Sequence, residues 1–223
     1  MTSFMRKSRH PFRTAIAAVA VIAAGLTGSA VPAVAAPAPP APVGLSRAGL
    51  ARLLGNPAPA AKVSAAAAPS GLTCPETISL RSLASNLYVT TEAGVRDNTM
   101  GLLRARSATV GAWEKIQVCY DLNGSDTVAY LVPTVPLNGQ QRPVTAVLDG
   151  SPDIGNRLQA RDTNYGPWEQ FLMGQGPGYV YLFSFANRNY VSAELGFGGN
   201  FNGMLRARAS TVGPWEKFAI ARA

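Results

Sequence analysis

The 14-residue stretch LRARSATVGAWEKI, Leu103–Ile116, occurs in three ungapped copies and decides the fold. The other two copies are LQARDTNYGPWEQF, Leu158–Phe171, and LRARASTVGPWEKF, Leu205–Phe218. Leucine, alanine, arginine, glycine, tryptophan and glutamate stand at the same six places in every copy, and the copies contain all three tryptophans of the 223-residue chain. Such self-similarity, with a period of about 50 residues, predicts three structural repeats.

A second phrase precedes the first and third copies. It reads ISLRSLASNLYVTTE at Ile78–Glu92 and VYLFSFANRNYVSAE at Val180–Glu194, an offset of 102 residues that also separates the first and third tryptophans. The middle repeat is degenerate upstream, where AYL at 129–131 and PVTA at 143–146 stand in. We therefore place the repeats at about 76–121, 126–174 and 178–221.

Each repeat has the pattern of four short strands separated by turn residues. In the first repeat these are predicted at Ile78–Ser82, Leu87–Thr91, Leu102–Arg106 and Lys115–Val118. Four short strands cannot bury an apolar face alone, whereas three copies closed around a pseudo-threefold axis leave no exposed edge and share one core. The sequence therefore predicts an all-β domain of three pseudo-symmetric repeats over residues 71–223.

The succession ISLRS…YVTTE…L.AR…G.WE.F resembles the fascin-like β-trefoil, a domain of actin-crosslinking proteins and of many exported actinobacterial proteins. The resemblance covers residues 76–221, which is the whole predicted domain. The Gln-x-Trp signature of ricin-type trefoil lectins is absent, and Gly-Ala-Trp or Gly-Pro-Trp stands in its place. The resemblance implies a β-trefoil fold of the fascin-like branch.

Symmetry separates scaffold from site, because a residue needed in all three copies serves the fold and a residue present once is free to serve a ligand. By this rule the tryptophans are predicted to pack in or under the barrel rather than to form sugar platforms; they are Trp113, Trp168 and Trp215. We also predict one partly buried ion pair between the third and fourth strands of each repeat; the pairs are Arg106–Glu114, Arg161–Glu169 and Arg208–Glu216.

Cys74 and Cys119 are the only cysteines. Cys74 precedes the first predicted strand and Cys119 follows the fourth, and these ends lie side by side if the two strands pair antiparallel. We predict a disulfide bond between them, as is usual for an even number of cysteines in an exported chain. A metal site built on two cysteines without histidine is disfavoured, and we predict neither a metal nor a cofactor.

The most suggestive asymmetric segment is the glycine-rich turn Gly196–Gly203 of the third repeat. Phe197 and Phe201, beside Asn200 and Asn202, combine aromatic faces with amide donors, which suits a sugar ring. The alternative is that both phenylalanines close the bottom of the barrel. Weaker candidates of the same kind are Asp97, Asn98 and Tyr165.

Catalysis is disfavoured by the residue types present. The only histidine, His10, lies in a segment predicted to be removed, which excludes catalytic triads based on histidine. The repeated glutamates are the obvious candidates for a glycosidase, but threefold placement keeps them in separate repeats, beyond the separation of about 5–9.5 Å that such chemistry needs. The asymmetric acids form no recognisable motif; they are Asp97, Asp149, Asp153 and Asp162.

The formal charge of +8 does not belong to the predicted domain. From Gly71 onward there are 13 Lys and Arg against 12 Asp and Glu, and no acidic residue precedes Glu76. A nucleic-acid surface needs clustered cations on one face. We therefore expect no nucleic-acid partner.

The first 35 residues have the form of a signal peptide. Cations at positions 6, 7, 9 and 13 precede an apolar run, Ala15–Leu26, and an Ala-Val-Ala site ends at Ala35. That run is shorter than the roughly 20 residues needed to span a bilayer. We expect a secreted protein, extracellular or associated with the cell wall, with no membrane span after cleavage.

Residues 36–70 carry seven prolines and many alanines, which predicts a disordered, extended linker. Within it, Leu45–Leu54 has leucines partly at helical spacing. We interpret this stretch as a frayed helical turn rather than a segment that docks on the domain.

These features favour a monomeric, non-catalytic binding module for an extracellular polysaccharide or another extracellular polymer. The alternative is a protein-interaction module, such as an inhibitor or a binder of actin-like filaments. A weak glycosidase is the third hypothesis.

Overall fold

The computed structural model describes residues 41–55, 71–121 and 123–223. The predicted signal peptide and the linker stretches 36–40 and 56–70 lie outside the described residues. The described part contains helix α1, Arg47–Leu53, and twelve strands. The strands are β1 (Leu72–Ser82), β2 (Tyr88–Thr91), β3 (Leu103–Ser107), β4 (Ile116–Asp121), β5 (Val128–Pro133), β6 (Val144–Val147), β7 (Arg157–Ala160), β8 (Phe171–Gly176), β9 (Tyr179–Ser184), β10 (Asn189–Glu194), β11 (Met204–Ala209) and β12 (Phe218–Arg222).

The first and fourth strands of the three repeats close a six-stranded antiparallel barrel. The circuit runs β1–β4–β5–β8–β9–β12 and returns to β1. The second and third strands of each repeat form the hairpins β2–β3, β6–β7 and β10–β11, which join one another around the same axis. This is a β-trefoil, and the fold expected from the sequence is confirmed.

The core lies inside the barrel and under the three hairpins, because alternate residues of each strand point inward. On β9, Val180 and Leu182 are buried in it, while Tyr179 and Tyr181 remain partly exposed on the outer face. The bulkiest inward side chains come from all three repeats; they include Ile78, Leu80, Ile116, Leu131, Phe171, Leu182 and Phe218.

The hairpins are joined by one backbone hydrogen bond per repeat at equivalent positions. The N–H groups of three alanines each donate to a carbonyl of the neighbouring repeat; the pairs are Ala105–Gly203 at 2.7 Å, Ala160–Gly101 at 2.8 Å and Ala207–Asn156 at 2.8 Å. The three acceptor residues have positive φ, between +62° and +80°. The junction therefore requires a left-handed backbone, which glycine adopts most easily and asparagine tolerates.

Side chains repeat the same cyclic linkage. Arg104, Gln159 and Arg206, equivalent residues of the third strands, each donate to backbone carbonyls in the β2–β3-type loop of a neighbouring repeat. The acceptors are Gly199 and Asn202 for Arg104, Asn98 and Met100 for Gln159, and Pro152 and Gly155 for Arg206. Each of these loops is therefore held from outside its own repeat.

The predicted disulfide is confirmed. Cys74 and Cys119 are bonded to each other, and both lie within paired strands rather than beside them, because β1 and β4 are longer than the sequence pattern indicates. β1 bulges around Cys74, between the pairs Thr73–Tyr120 and Glu76–Val118. The bond therefore staples the two ends of the first repeat.

The interpretation of Leu45–Leu54 as a frayed turn in a spacer is wrong. The Leu45 N–H donates to the carbonyl of Met173 at 2.6 Å, so the chain extends the edge of β8 before α1 begins. Leu50 on α1 is fully buried in the core of the barrel, and Leu45 and Leu54 pack beside it. Docking is favoured because burial of apolar side chains outweighs the weak helical propensity of so short a segment.

α1 has seven residues, and none of the helices in the described ranges is long and apolar enough to cross a membrane.

We predict that Gly203→Ala lowers the free energy of unfolding by at least about 3 kcal/mol. A Cβ at this position would lie 2.4 Å from the carbonyl oxygen of Ala105. Gly139→Ala is the matched control, because Gly139 has the same φ of +77° and nothing within 4 Å of its Cβ position. Urea denaturation should show a loss of only about 1–2 kcal/mol for the control. Equal losses would contradict the steric role of the junction.

We also predict that Leu50→Ala lowers the free energy of unfolding of the mature chain by about 2–5 kcal/mol, as expected for a buried leucine. The control is Leu53→Ala, since Leu53 is 36% exposed on the same helix. Thermal denaturation of both variants makes the comparison. An unchanged melting temperature for Leu50→Ala would show that α1 is not part of the folded domain.

Candidate functional site

The tryptophans do not pack in the core, and the prediction that they do is wrong. Trp113, Trp168 and Trp215 are 38%, 58% and 53% exposed. Each stands in the middle of a one-turn 3-10 helix on the outside of the domain. That turn directs the following glutamate inward and leaves the indole outside, so each repeat presents an exposed aromatic face.

The buried member of each turn is the glutamate after the tryptophan. Glu114, Glu169 and Glu216 are almost fully buried. Each accepts the N–H of the glycine three residues earlier, with N–O distances of 2.7, 2.9 and 2.7 Å. The other oxygens of Glu114 and Glu216 accept the hydroxyls of Thr90 and Ser192. All three carboxylates therefore fix their own turns, and those of Glu114 and Glu216 also tie the turn to the hairpin of the same repeat.

The predicted ion pairs of these glutamates with Arg106, Arg161 and Arg208 are consequently wrong. In the first repeat, Arg106 instead binds Glu92 with both ends of its guanidinium, at 2.6 Å from Nε and 3.0 Å from Nη2. In the third repeat, Arg208 binds both oxygens of Glu194 in the same way. The carboxylate at or just after the end of the second strand lies within contact distance of the arginine, whereas the carboxylate in the turn accepts the N–H of its own turn's glycine.

The second repeat has valine where the other two have this glutamate. The backbone carbonyls of Glu92, Val147 and Glu194 accept the same hydrogen bond, from Gly101, Asn156 and Gly203, which establishes the equivalence. Arg161, the counterpart of Arg106 and Arg208, therefore has no carboxylate on the second strand of its repeat.

A pocket opens at this point, with a volume of about 190 Å³. It is lined by Thr145, Ala146, Val147, Leu148, Asp149, Arg161, Asp162 and Trp168. An indole and aliphatic carbons form its apolar part, and a guanidinium and two carboxylates form its polar part. The volume is below that of pockets for drug-sized ligands, about 300–1,000 Å³, and suits a single small ring.

The charged groups of this pocket differ in how firmly they are held. Asp149 accepts a hydrogen bond from Arg157 at 2.5 Å, and this bond lowers the pKa of Asp149 below its ordinary value. Arg161 is 3.9 Å from Asp162 and each side chain is about half exposed, so this pair is weak. Arg161 is therefore the guanidinium that a ligand can reach.

Thr145 provides a further polar group. It is the counterpart of Thr90 and Ser192, but within the described residues its Oγ1 has no hydrogen-bond partner although only 3% of the residue is exposed. A buried hydroxyl without a partner costs free energy in the unliganded protein.

The first repeat has a cavity at the equivalent position, where the glutamate is present. A cavity of about 380 Å³ is lined there by Thr90, Arg106, Ser107, Ala108, Trp113 and Glu114. Its hydroxyl and its guanidinium are both bound internally, by Glu114 and Glu92. In contrast to the second repeat, its polar groups are already satisfied.

The segment favoured by sequence as a sugar site, Gly196–Gly203, is largely held by the scaffold. Phe197 and Phe201 are partly buried, and the guanidinium of Arg206 lies 5.9 Å from the Phe197 ring centroid. Asn200 and Asn202 are exposed, and the carbonyl of Asn202 accepts from Arg104. Their role in ligand binding stays a prediction.

The weaker candidates lie elsewhere and do not join that segment. The exposed Asp97 accepts the N–H and the hydroxyl of Thr99, and these bonds lower its pKa. Asn98 follows it in the same turn, and its backbone carbonyl accepts a hydrogen bond from the side-chain amide of Gln159. Tyr165 packs edge-on against Tyr130, with ring centroids 5.4 Å apart, beside the disulfide.

Sequence reasoning named Trp168 and Arg161 as scaffold and Asp162 as an isolated acid, and it missed Thr145 and Val147. The signal was present in the alignment of repeats, because PVTA at 143–146 is followed directly by Val147. The absence of a carboxylate at Val147 was overlooked because Arg161 was expected to pair with Glu169. No group of three or more His, Cys, Asp or Glu that could hold a metal ion occurs in the ranges that the structure describes.

Solved structures with the same fold are known. A designed threefold-symmetric protein, ThreeFoil, has a TM-score of 0.51 at 16% identity, over 65% of this chain and 96% of its own. The exo-β-1,3-galactanase 1,3Gal43A from Clostridium thermocellum has a TM-score of 0.52 at 15% identity, over 66% of this chain and 30% of its own. No protein-family model and no curated protein matches the sequence. At these identities the likeness shows the fold alone.

We predict opposite effects for the same substitution at two equivalent threonines. Thr90→Val removes a donor to the buried carboxylate of Glu114 and should lower the free energy of unfolding by about 1.5–3 kcal/mol. Thr145→Val removes a hydroxyl that has no partner among the described residues, and should leave stability unchanged or raise it. Chemical denaturation of both variants measures the difference. A comparable loss for Thr145→Val would show that its hydroxyl is structurally engaged.

Proposed function

We propose that this protein is a non-catalytic carbohydrate-binding module whose ligand site is the pocket of the second repeat. The observation that carries the proposal is the break in symmetry at Val147, which leaves Arg161 without the internal carboxylate that Arg106 and Arg208 have. The arginine of the third strand is paired with a glutamate in two repeats and has no such partner in the other one. We infer that the unpaired arginine is there to bind a ligand.

The pocket has the chemistry that sugars require. A pyranose ring presents a C–H face and a rim of hydroxyls, and the half-exposed indole of Trp168 offers a flat apolar surface for the former. Arg161 donates hydrogen bonds and Asp162 accepts them. One ring bound between these groups uses every polar side chain that the pocket leaves free.

The carboxylates of the pocket argue against hydrolysis. Asp149 and Asp162 lie in the same pocket, which the sequence alone did not indicate. A glycosidase needs one carboxyl with a raised pKa as its general acid. The hydrogen bond from Arg157 lowers the pKa of Asp149, which suits a permanently charged acceptor rather than a proton donor.

The wider setting of the proposal is an exported protein of the fascin-like branch that acts on an extracellular polymer. Disulfides persist in oxidising compartments, so the Cys74–Cys119 bond fits export. A polysaccharide built from one repeating sugar offers many equivalent binding positions to a monomeric protein that has a single pocket.

The test is retention of the mature chain, residues 36–223, on insoluble polysaccharides. The panel contains cell-wall glycan, chitin, cellulose, xylan and galactan; galactan is included because the galactanase acts on it. We predict that Trp168→Ala weakens retention at least about tenfold while the melting temperature stays unchanged. Trp215→Ala is the control, because Trp215 is similarly exposed in a repeat that keeps its glutamate.

Equal loss in both variants would place the site elsewhere, and no retention on any polymer would contradict the proposal in favour of a protein partner. Release of reducing ends from a retained polymer, abolished by Asp149→Asn, would overturn its non-catalytic part.

A further inference from the structure

The first and third repeats show which chemical group this arginine position binds. In both, Nε and Nη2 of the guanidinium each face one oxygen of the same carboxylate: both contacts are hydrogen bonds for Arg208, and for Arg106 Nη2 donates a hydrogen bond while Nε lies 2.6 Å from the other oxygen. This bidentate fork is the strongest hydrogen-bonded arrangement of arginine with a carboxylate, and its geometry is specific. The strand that supplies the glutamate is present in all three repeats, so the position is built for a carboxylate at this place.

In the second repeat, no carboxylate of the chain binds the arginine in this bidentate way. Val147 occupies the position of Glu92 and Glu194, and Asp162 approaches Arg161 only to 3.9 Å. The stretches that the structure leaves out cannot supply the acid, because no Asp or Glu precedes Glu76 and residue 122 is leucine. A carboxylate that binds Arg161 through two oxygens would therefore come from outside the chain.

Exposure does not explain the difference between the repeats. The side chains of Arg106, Arg161 and Arg208 are 43%, 50% and 50% exposed. All three guanidinium groups thus meet solvent to a similar extent, and pairing with a carboxylate is what distinguishes them. The three positions form a natural comparison within one molecule.

We propose that the pocket of the second repeat binds an acidic sugar, and that the carboxylate of this sugar takes the place of the missing glutamate against Arg161. The proposal rests on the proposed function and names its ligand class: a polysaccharide that carries uronic acid residues. The ring of the acidic sugar lies on Trp168, and its carboxylate accepts hydrogen bonds from Nε and Nη2 of Arg161.

Two carboxylates line the pocket and limit this preference: Asp149 is paired with Arg157 at 2.5 Å, whereas Asp162 has no firm partner. Asp162 therefore matters more. Its carboxylate repels that of the ligand, and the repulsion is moderate because the side chain is about half exposed. The counterparts of Asp162 are Ser107 and Ala209, which carry no charge. Removal of this charge should therefore strengthen binding of an acidic sugar and leave binding of a neutral one unchanged.

The test uses two soluble probes that differ only at C6, an oligogalacturonate and the oligogalactoside of the same length and linkage. Calorimetric titration of the mature chain should show the oligogalacturonate bound at least about tenfold more tightly, as expected for one charge-assisted pair. The advantage should shrink with added salt and should grow in Asp162→Asn.

Two variants locate the carboxylate. Arg161→Gln should abolish the preference for the acidic probe while it leaves weak binding of the neutral probe. Val147→Glu restores the residue found in the other repeats. Its carboxylate should pair with Arg161 and weaken the affinity for the acidic probe at least about tenfold. The melting temperatures of both variants verify that they are folded.

The outcomes separate this inference from the function on which it rests. Equal affinity for the two probes would overturn the acidic-sugar proposal and leave carbohydrate binding intact. Binding of neither probe at millimolar concentration, together with no retention on the insoluble polymers, would overturn both.

A measurement without any sugar tests the free guanidinium directly. Modification by phenylglyoxal, followed by peptide mass spectrometry, should label Arg161 faster than Arg106 and Arg208. Val147→Glu should slow the labelling of Arg161 to the rate of the other two, and Glu92→Val should accelerate Arg106. Uniform rates in the wild-type protein would show that Arg161 is not free, and would overturn the inference whatever the binding data.

Discussion

The trefoil depends on the backbone junction at which its three hairpins meet. One N–H of each third strand donates to a carbonyl in the adjoining repeat, and the acceptor residue stands in the left-handed region. A Cβ at Gly101 or Gly203 would approach a backbone oxygen to 2.1 or 2.4 Å, which excludes larger residues there. Because each repeat both donates and accepts at this junction, no repeat is complete alone, and the barrel below closes only when all three are present.

Buried glutamates stabilise the repeats beyond the backbone junction, and they do so in two distinct ways. The glutamate after each tryptophan caps its own turn and keeps the indole outside. The glutamate at the end of the second strand restrains an arginine of the third strand in the first and third repeats. Loss of the latter in the second repeat leaves the fold unchanged, since the backbone bond at Val147 remains. The fold therefore tolerates either glutamate or valine at the position of Val147, beside which the pocket lies.

The segment before the trefoil belongs to the folded domain. Its chain extends β8 at Gly174, where the hydroxyl of Tyr181 passes over the glycine to reach the carbonyl of Val43 at 3.2 Å. A side chain at Gly174 would overlap the Tyr181 ring, with a Cβ 2.0 Å from its nearest carbon. Leu50 then fills the core from this side. The proline-rich composition around these residues concealed the contact, because composition reports average tendency and not the shape of an available cavity.

The sequence by itself determined the fold, because a motif that recurs three times reports the symmetry of the core, and it determined the disulfide, because the two cysteines flank one repeat. Only the tertiary structure decided which acid pairs with which base. Arg106 is nearer in sequence to Glu114 than to Glu92, yet strand pairing brings Glu92 to it while the turn retains Glu114. Because the arginine pairs with the glutamate at the end of the second strand, the valine at that position in the second repeat leaves Arg161 unpaired beside the pocket. The distance between two side chains is set by the register of the strands and not by their separation along the chain.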